Sequence, residues 1–176
     1  MEERRNYEDS YRLLREQGFV DARVVPPMPE RMPSFDDEEP LGISFLRTGV
    51  WDDDLSNLTL RRTFICRCKV SHIAFRNTDL CESRLCWNDF TDVDFTEANL
   101  AHCDLRASQF QDVKFTGANL SGADMRQSEY VRCDFTGAAM VGAKLTRAQS
   151  AHLPLSAEQS QAIDWQADDG PIPGGG

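Results

Sequence analysis

The chain has 176 residues, about the length of one domain. Nineteen Lys and Arg stand against 29 Asp and Glu, for a net charge of -10 and a pI near 4.7, which excludes a nucleic-acid binder working through overall positive charge. Residues 2–18 are too polar for a signal peptide, no apolar run approaches membrane-spanning length, and the six cysteines fit a reducing, cytoplasmic setting better than a disulfide scaffold.

Residues 1–25 read as an N-terminal cap. Tyr7, Tyr11 and Leu14 follow helical spacing, and FVDARVV (19–25) has the pattern of one short strand. From Pro26 to Pro40 the chain reads PPMPERMPSFDDEEP, the composition of an extended, acidic linker. Residues 41–150 then obey a period of five. Every fifth residue from Phe45 to Leu145 is apolar or aromatic, 21 positions in all. Chance gives such a run with odds of roughly one in 10⁸ at this composition. A second register two residues earlier is nearly all small (Thr63, Ser83, Ala98, Cys103, Ser108, Ala118, Ala123, Ala138); Ile43, Asp53, Leu58, Ile73 and Asn88 depart from it. Neither a helix nor a single strand has this period. It fits a chain that turns a corner after each short extended piece and closes on itself. Proline is absent between 41 and 153, where it would delete a coil-to-coil hydrogen bond, and Gly117, Gly122, Gly137 and Gly142 fall at the corners.

ANLAHCDLRA (98–107) and ANLSGADMRQ (118–127) resemble the A-(D/N)-L-x-x unit of the pentapeptide-repeat family. The resemblance spans about 41–149, more strongly over 88–149. It implies an all-β solenoid: a right-handed, quadrilateral parallel β-helix of about five coils, four pentapeptides to a coil, with short helical caps at its ends. Coils stacked like parallel strands make a rod about 25 Å long. Residues 151–166 read as the C-terminal capping helix. Ser156 and Gln159 form a capping box after Pro154, and Ala162, Ile163 and Trp165 give it an apolar face. Residues 167–176 read as a flexible tail.

The charge is uneven. Residues 1–40 carry 6 basic and 11 acidic side chains, the body 41–150 carries 13 and 14, and 151–176 carries none and 4. Folding the body by twenty gathers Arg47, Arg67, Arg84, Arg106, Arg126, Lys144 and Arg147 on one face against Asp104 and Asp124, beside Leu46, Phe64, Cys66, Cys86 and Trp87. An apolar patch ringed by arginine marks a contact surface, so the candidate partner-binding residues are Arg47, Phe64, Arg67, Arg84, Trp87, Arg106, Arg126 and Arg147. The other occupant to weigh is the chain's own N-terminal segment. Asp36, Asp37, Glu38 and Glu39 beside Phe35, Met32 and Met28 match this face in charge and apolarity, so the linker is expected to dock across the first coils.

Chemistry is sparse. His72, His102 and His152 form no cluster, the aspartates before the large residues suit turn hydrogen bonding, and no nucleophile–base pair, phosphate loop or dinucleotide fingerprint is present. Cys66 and Cys86 stack on neighbouring coils without further metal ligands. The expectation is a non-enzymatic protein–protein interaction module with no cofactor and no metal, a protein partner, and neither membrane nor direct nucleic-acid binding. The resemblance also implies an alternative, a DNA-mimic regulator or protector of DNA gyrase like the family's quinolone-resistance members. It further implies a homodimer through the C-terminal end, where Leu153, Leu155, Ile163 and Trp165 are apolar. The nearly neutral body weighs against mimicry.

Overall fold

Burial follows the fivefold register. From Val50 to Leu145 every fifth residue is buried, and Phe45 is half-buried at the open first coil. The computed structural model describes residues 3–21, 23–38, 41–45 and 49–167. The chain winds into a right-handed parallel β-helix of about six turns. One side is a five-stranded parallel ladder, β1 (Gly49–Asp54), β2 (Lys69–Ala74), β3 (Asp89–Thr91), β4 (Gln109–Gln111) and β5 (Glu129–Val131). Its register is twenty throughout: Val50 faces Val70, then Phe90, Phe110 and Tyr130. The other sides pair by single bridges at the same offset, as in Phe64, Arg84, Asp104, Asp124 and Lys144. Inside, Phe75, Phe95, Phe115 and Phe135 stack in one column and Phe90, Phe110 and Tyr130 in the next, centroids 4.8–5.5 Å apart.

Two backbone devices turn the corners. Every residue two after a large one, from Asp52 to Gly142, has positive φ: the four expected glycines, and fifteen non-glycine residues that include Arg67, His72 and Trp87. An L-residue pays about 1–2 kcal/mol for this conformation, and the ladder bonds on either side hold it there. The small register supplies the second device. Ser108 Oγ accepts from Asn88 N–H at 3.1 Å and donates to Leu85 O at 3.3 Å, and Ser83 does the same for Thr63 N–H and Leu60 O. Asn88, an exception to the small pattern, belongs to this ladder: its Oδ1 accepts from Cys68 N–H at 2.8 Å and its Nδ2 donates to Ile65 O at 2.6 Å. The aspartates and asparagines before the large residues bond the N–H two residues on, as Asp104 does for Arg106 and Asn119 for Ser121.

Both ends are plugged by mimicry of the ladder. Between coils a backbone N–H donates either 19 residues on (Asn57 to Arg76) or 21 back (Asp79 to Leu58). By that rule Asn57 O and Thr59 N–H would both seek residue 38. Arg5 N–H and Ser10 Oγ meet them instead, at 2.8 and 2.9 Å. Helix α1 (Tyr7–Glu16), capped by Asn6 through Asp9 N–H, sinks Tyr11 and Leu14 into the core, with Phe19 and Val20 behind them. Phe19 lies against Phe45 at 5.4 Å, and among the described residues of 19–25 there is no strand, because these side chains plug the coil rather than extend a ladder.

At the other end, β6 (Lys144–Thr146) leads into two short helices, α2 (Arg147–Ser150) and α3 (Ala157–Ala162), and then β7 (Asp164–Gln166), which pairs with β6. The expected Ser156–Gln159 capping box is present, and Thr146–Gln149 forms a second one. In each box the glutamine Oε1 accepts from the cap N–H while Nε2 donates to the rod. Gln149 reaches Met125 O and Ser128 O, both at 2.9 Å, and Gln159 reaches Phe135 O and Ala138 O at 2.7 and 3.0 Å. Ser128 and Ala138 lie 21 residues back, so each side-chain amide stands where the next coil's backbone N–H would be. Of the expected tail, 167–176, residues 168–176 lie outside the described residues.

Candidate functional site

The rod's interior is packed. A void of about 10 Å³, lined by Phe45, Ile65, Phe75 and Leu85 among others, is at the limit for one water and wholly apolar. Two open clefts of about 610 and 540 Å³ flank α2 and α3, beside Tyr130 and Met140 respectively. Among the described residues there is no cluster that would hold a metal ion, and no helix is long and apolar enough to cross a membrane. The surface therefore carries whatever recognition the rod performs.

The face built on Ile65, Leu85, Leu105 and Met125 gathers most of the residues the charge map selects. Arg47 lies outside the described residues. Arg84, Arg106 and Arg126 stand in one stack with Asp104 and Asp124. Arg84 meets Asp104 at 2.7 Å, Arg106 grips the same carboxylate through Nε and Nη2 at 2.8 and 2.9 Å, and Arg126 grips Asp124 likewise at 2.9 and 2.8 Å. Burial alone pushes the Asp124 carboxyl upward, but its Arg126 bonds and the Arg106 charge hold it below the ordinary value. These arginines are thus paired rungs, a property that a count of charges does not show. Arg147 lies apart at the C-terminal end, its guanidinium 4.4 Å over the Trp165 ring. Leu153, Leu155 and Trp165 pack against the core beside buried Ile163, so the apolar residues of this end serve its cap.

The aromatic half of the face is not bare. The chain's own linker lies over it, and Phe35 covers the patch that the sequence leaves open. Phe35 meets Phe64 edge-on at 5.1 Å and Trp87 at 5.4 Å. Arg84 and Arg67 stand 5.4 and 5.7 Å from the Phe35 centroid, and Arg67 stacks 4.7 Å over Trp87. Two linker carbonyls are held by charged donors: Pro33 O by Arg84 Nε at 2.7 Å and Pro29 O by Arg62 Nη1 at 2.6 Å. Pro29 is seated on Gly42, where a Cβ would fall 2.6 Å from the proline ring. A turn presents Phe35. Asp37 N–H donates to Ser34 O at 3.3 Å, the Asp37 carboxylate accepts from Ser34 N–H at 2.7 Å, and Arg31 closes on the same carboxylate. Those bonds to Arg31 and Ser34 hold the Asp37 carboxyl below its ordinary range.

Beneath, Cys66 and Cys86 stack with sulfurs 3.5 Å apart, both free. The Cys66 thiol, in contact with Cys86 and mostly buried, is pushed up. Of the eight candidates, Phe64, Arg67, Arg84 and Trp87 are brought together as one cage, Arg106 and Arg126 continue it as a charged ladder, and Arg147 does not join it. Arg62 and Gly42, which also hold the linker, carry no sequence signal beyond a lone charge and a lone glycine.

Three comparisons bear on kinship. No curated protein matches the chain. Among solved structures, the chain is similar to Rfr23, a pentapeptide repeat protein from the cyanobacterium Cyanothece 51142, at 24% identity and a TM-score of 0.48 over 49% of this chain and 59% of that one. HetL, a pentapeptide repeat protein involved in heterocyst differentiation regulation in Nostoc sp. strain PCC 7120, aligns at 19% identity and 0.43 over 81% of this chain and 52% of its own. QnrB1, a plasmid-mediated fluoroquinolone resistance protein, aligns at 20% and 0.33 over 71% and 64%. The chain thus spans less than two thirds of each of these three proteins. The model of the family described as pentapeptide repeats matches residues 68–106, 89–127 and 108–149, with eight copies of the repeat. With the fivefold burial and the twenty-residue register of the coils, that match shows residues 68–149 to be repeats of the pentapeptide-repeat family.

Proposed function

We propose that the protein is a non-enzymatic protein–protein interaction module, a rigid rod that meets a protein partner through the face carrying Phe64, Arg67, Arg84, Trp87, Arg106 and Arg126. One observation carries the reading. This face and the adjoining Arg62 and Gly42 hold an extended peptide segment, residues 29–37, through two arginine–carbonyl bonds, a seat for Pro29 and an aromatic–guanidinium cage. Stacked coils fix the spacing of those groups at the ladder repeat, so the surface is organised before a partner arrives and little side-chain entropy is lost on binding. The DNA-mimic alternative needs a continuous negative potential. Here the body's 13 basic and 14 acidic side chains nearly cancel, and Arg84, Arg106 and Arg126 sit among the aspartates of their own face.

The test is capture of partners from extract of the native host, with chemical cross-linking, by the wild-type chain and by Arg67→Glu/Arg126→Glu. Lys114→Glu, on another side, is the control. A protein retained by wild type and control but lost by the double reversal supports the reading; an unchanged set of captured proteins refutes it.

A further inference from the structure

We infer that residues 29–37 are a built-in occupant of a peptide-binding cage, and that the partner it holds off presents a proline-led turn with an aromatic side chain followed by acidic residues. The inference rests on the interaction-module reading and names the chemistry of its partner.

The two N-terminal segments hold the rod in different ways. The segment around α1 joins the ladder itself: Arg5 N–H and O bond Asn57 and Thr59, and Tyr11 and Leu14 are buried in the core. That contact is part of the fold. The strap joins no ladder among the described residues. Its grip is two carbonyls on two arginines, the buried Pro29 (seated on Gly42) and Pro33, and one ring in the cage that remains 45% exposed. Such a segment leaves without unfolding a coil, because no inward residue and no coil-to-coil bond goes with it.

What the cage selects follows from what it holds. Phe64 and Trp87 offer an edge and a face to a flat ring, and Arg67 and Arg84 stand over it, so the ring is aromatic rather than aliphatic. Arg84 takes the carbonyl two residues before that ring, that of Pro33. The carboxylate two residues after the ring serves twice: Asp37 closes the turn on Ser34 and Arg31, and its charge is felt by Arg84. All the bonds that shape the turn lie within residues 31–37, so a peptide of these residues contains every group that makes it. A tethered copy of that peptide competes at an effective concentration on the order of a millimolar. A partner therefore binds with an apparent affinity lowered by the fraction of chains whose cage is open.

The experiment uses the full chain and a labelled peptide with the sequence of residues 29–38, followed by fluorescence anisotropy. Phe35→Ala empties the cage and keeps α1, the coils and both caps; Phe35→Ser serves the same purpose should the alanine chain aggregate. The peptide is expected to bind the Phe35→Ala chain about tenfold more tightly than wild type. Adding Trp87→Ala to that chain should abolish binding, and a peptide with its Phe replaced by Leu should bind at least tenfold more weakly. No binding to the emptied cage, or equal binding to wild type and Phe35→Ala, overturns the inference. Light scattering on wild type that gives twice the monomer mass, lost in Phe35→Ala, places a second copy's strap in the cage and also overturns it. Failure here, with host capture still dependent on Arg67 and Arg126, removes only the partner chemistry. Binding here, with host capture indifferent to those arginines, removes the interaction reading instead.

Discussion

Gln159→Glu should cost the rod more stability than Gln159→Ala. A capping box accepts Gln and Glu alike, and a carboxylate near a helix N-terminus is ordinarily favourable, so a local view of α3 expects glutamate to be neutral or better. The structure gives Gln159 a second task. Its Oε1 accepts from Ser156 N–H, but its Nε2 donates to Phe135 O and Ala138 O at 2.7 and 3.0 Å, closing the last coil. Alanine removes three hydrogen bonds on a half-buried edge, worth about 2 kcal/mol net at roughly 0.5–1 kcal/mol each. For a chain of this size that is a fall in Tm of about 4–8 °C. Glutamate keeps the acceptor, then sets a charged oxygen against two carbonyl oxygens, an arrangement worse than no side chain. The pH response has a definite sign. Two carbonyl neighbours favour the protonated, donating carboxyl and so raise its pKa in the folded state. The glutamate chain should therefore recover towards wild type as pH falls to about 4, and lose that gain as pH rises. Thermal unfolding by circular dichroism, with hydrogen exchange over 135–145, reads both effects. A glutamate chain as stable as wild type at pH 7 would refute the idea that this amide replaces a backbone N–H. Gln149, built the same way, should show the same order.

Leu100→Asp puts an unpaired charge at a position with no exposed surface and should leave the body unfolded at room temperature by circular dichroism. Asn88→Ala strands Cys68 N–H and Ile65 O in the core and should cost about 2–3 kcal/mol in urea unfolding, whereas Asn88→Ser, the residue found at 83, 108 and 128, should recover most of it. Asp54, Asp124 and Asp134 are held below the ordinary carboxylate value in the folded chain, so the stability they add is complete above about pH 4 and drains as pH falls through their lowered values. Urea midpoints measured from pH 7 down to pH 3 should stay level and then drop.

The fold was legible because its period is strict: a large apolar residue at every fifth position calls for a chain that turns a corner after each short extended piece and closes on itself, and the resemblance to pentapeptide repeats implied the four sides. Corner glycines were legible for the same reason. Positive-φ residues such as Arg62, Arg67, Glu82 and Trp87 were not, because nothing in their chemistry favours that conformation; only the neighbouring coils impose it. Asn88 looked like a break in the small register and turned out to be a member of its hydrogen-bond ladder, since any small polar side chain that reaches three residues back on the previous coil does the same work. At the site, opposite charge and shared aromaticity were enough to set the linker on Phe64 and Trp87. They were not enough to find Arg62 or Gly42, whose part depends on the path of the strap. A count of +5 on one face likewise hides that each aspartate stands between two arginines, because counting ignores stacking order.

The distinction between plug and strap also decides how the N-terminus can be tested. A chain starting at Leu41 would free the cage, but it would also strip the first coil of Arg5 N–H, Ser10 Oγ and the side chains of Tyr11, Leu14, Phe19 and Val20. Four buried side chains at about 1.5–3 kcal/mol each amount to about 6–12 kcal/mol, an upper estimate that rivals the whole stability of a domain. The exposed coil would present unpaired N–H and C=O groups around an apolar mouth, which is a template for aggregation. The shortened chain is therefore expected to melt well below the full one and to scatter as large species, while Phe35→Ala melts within about 2 °C of wild type, as the loss of one half-exposed ring implies. If the chain starting at Leu41 kept the wild-type Tm and stayed monomeric, α1 would be an appendage like the strap, and the ladder substitution by Arg5 and Ser10 would carry no stabilising weight.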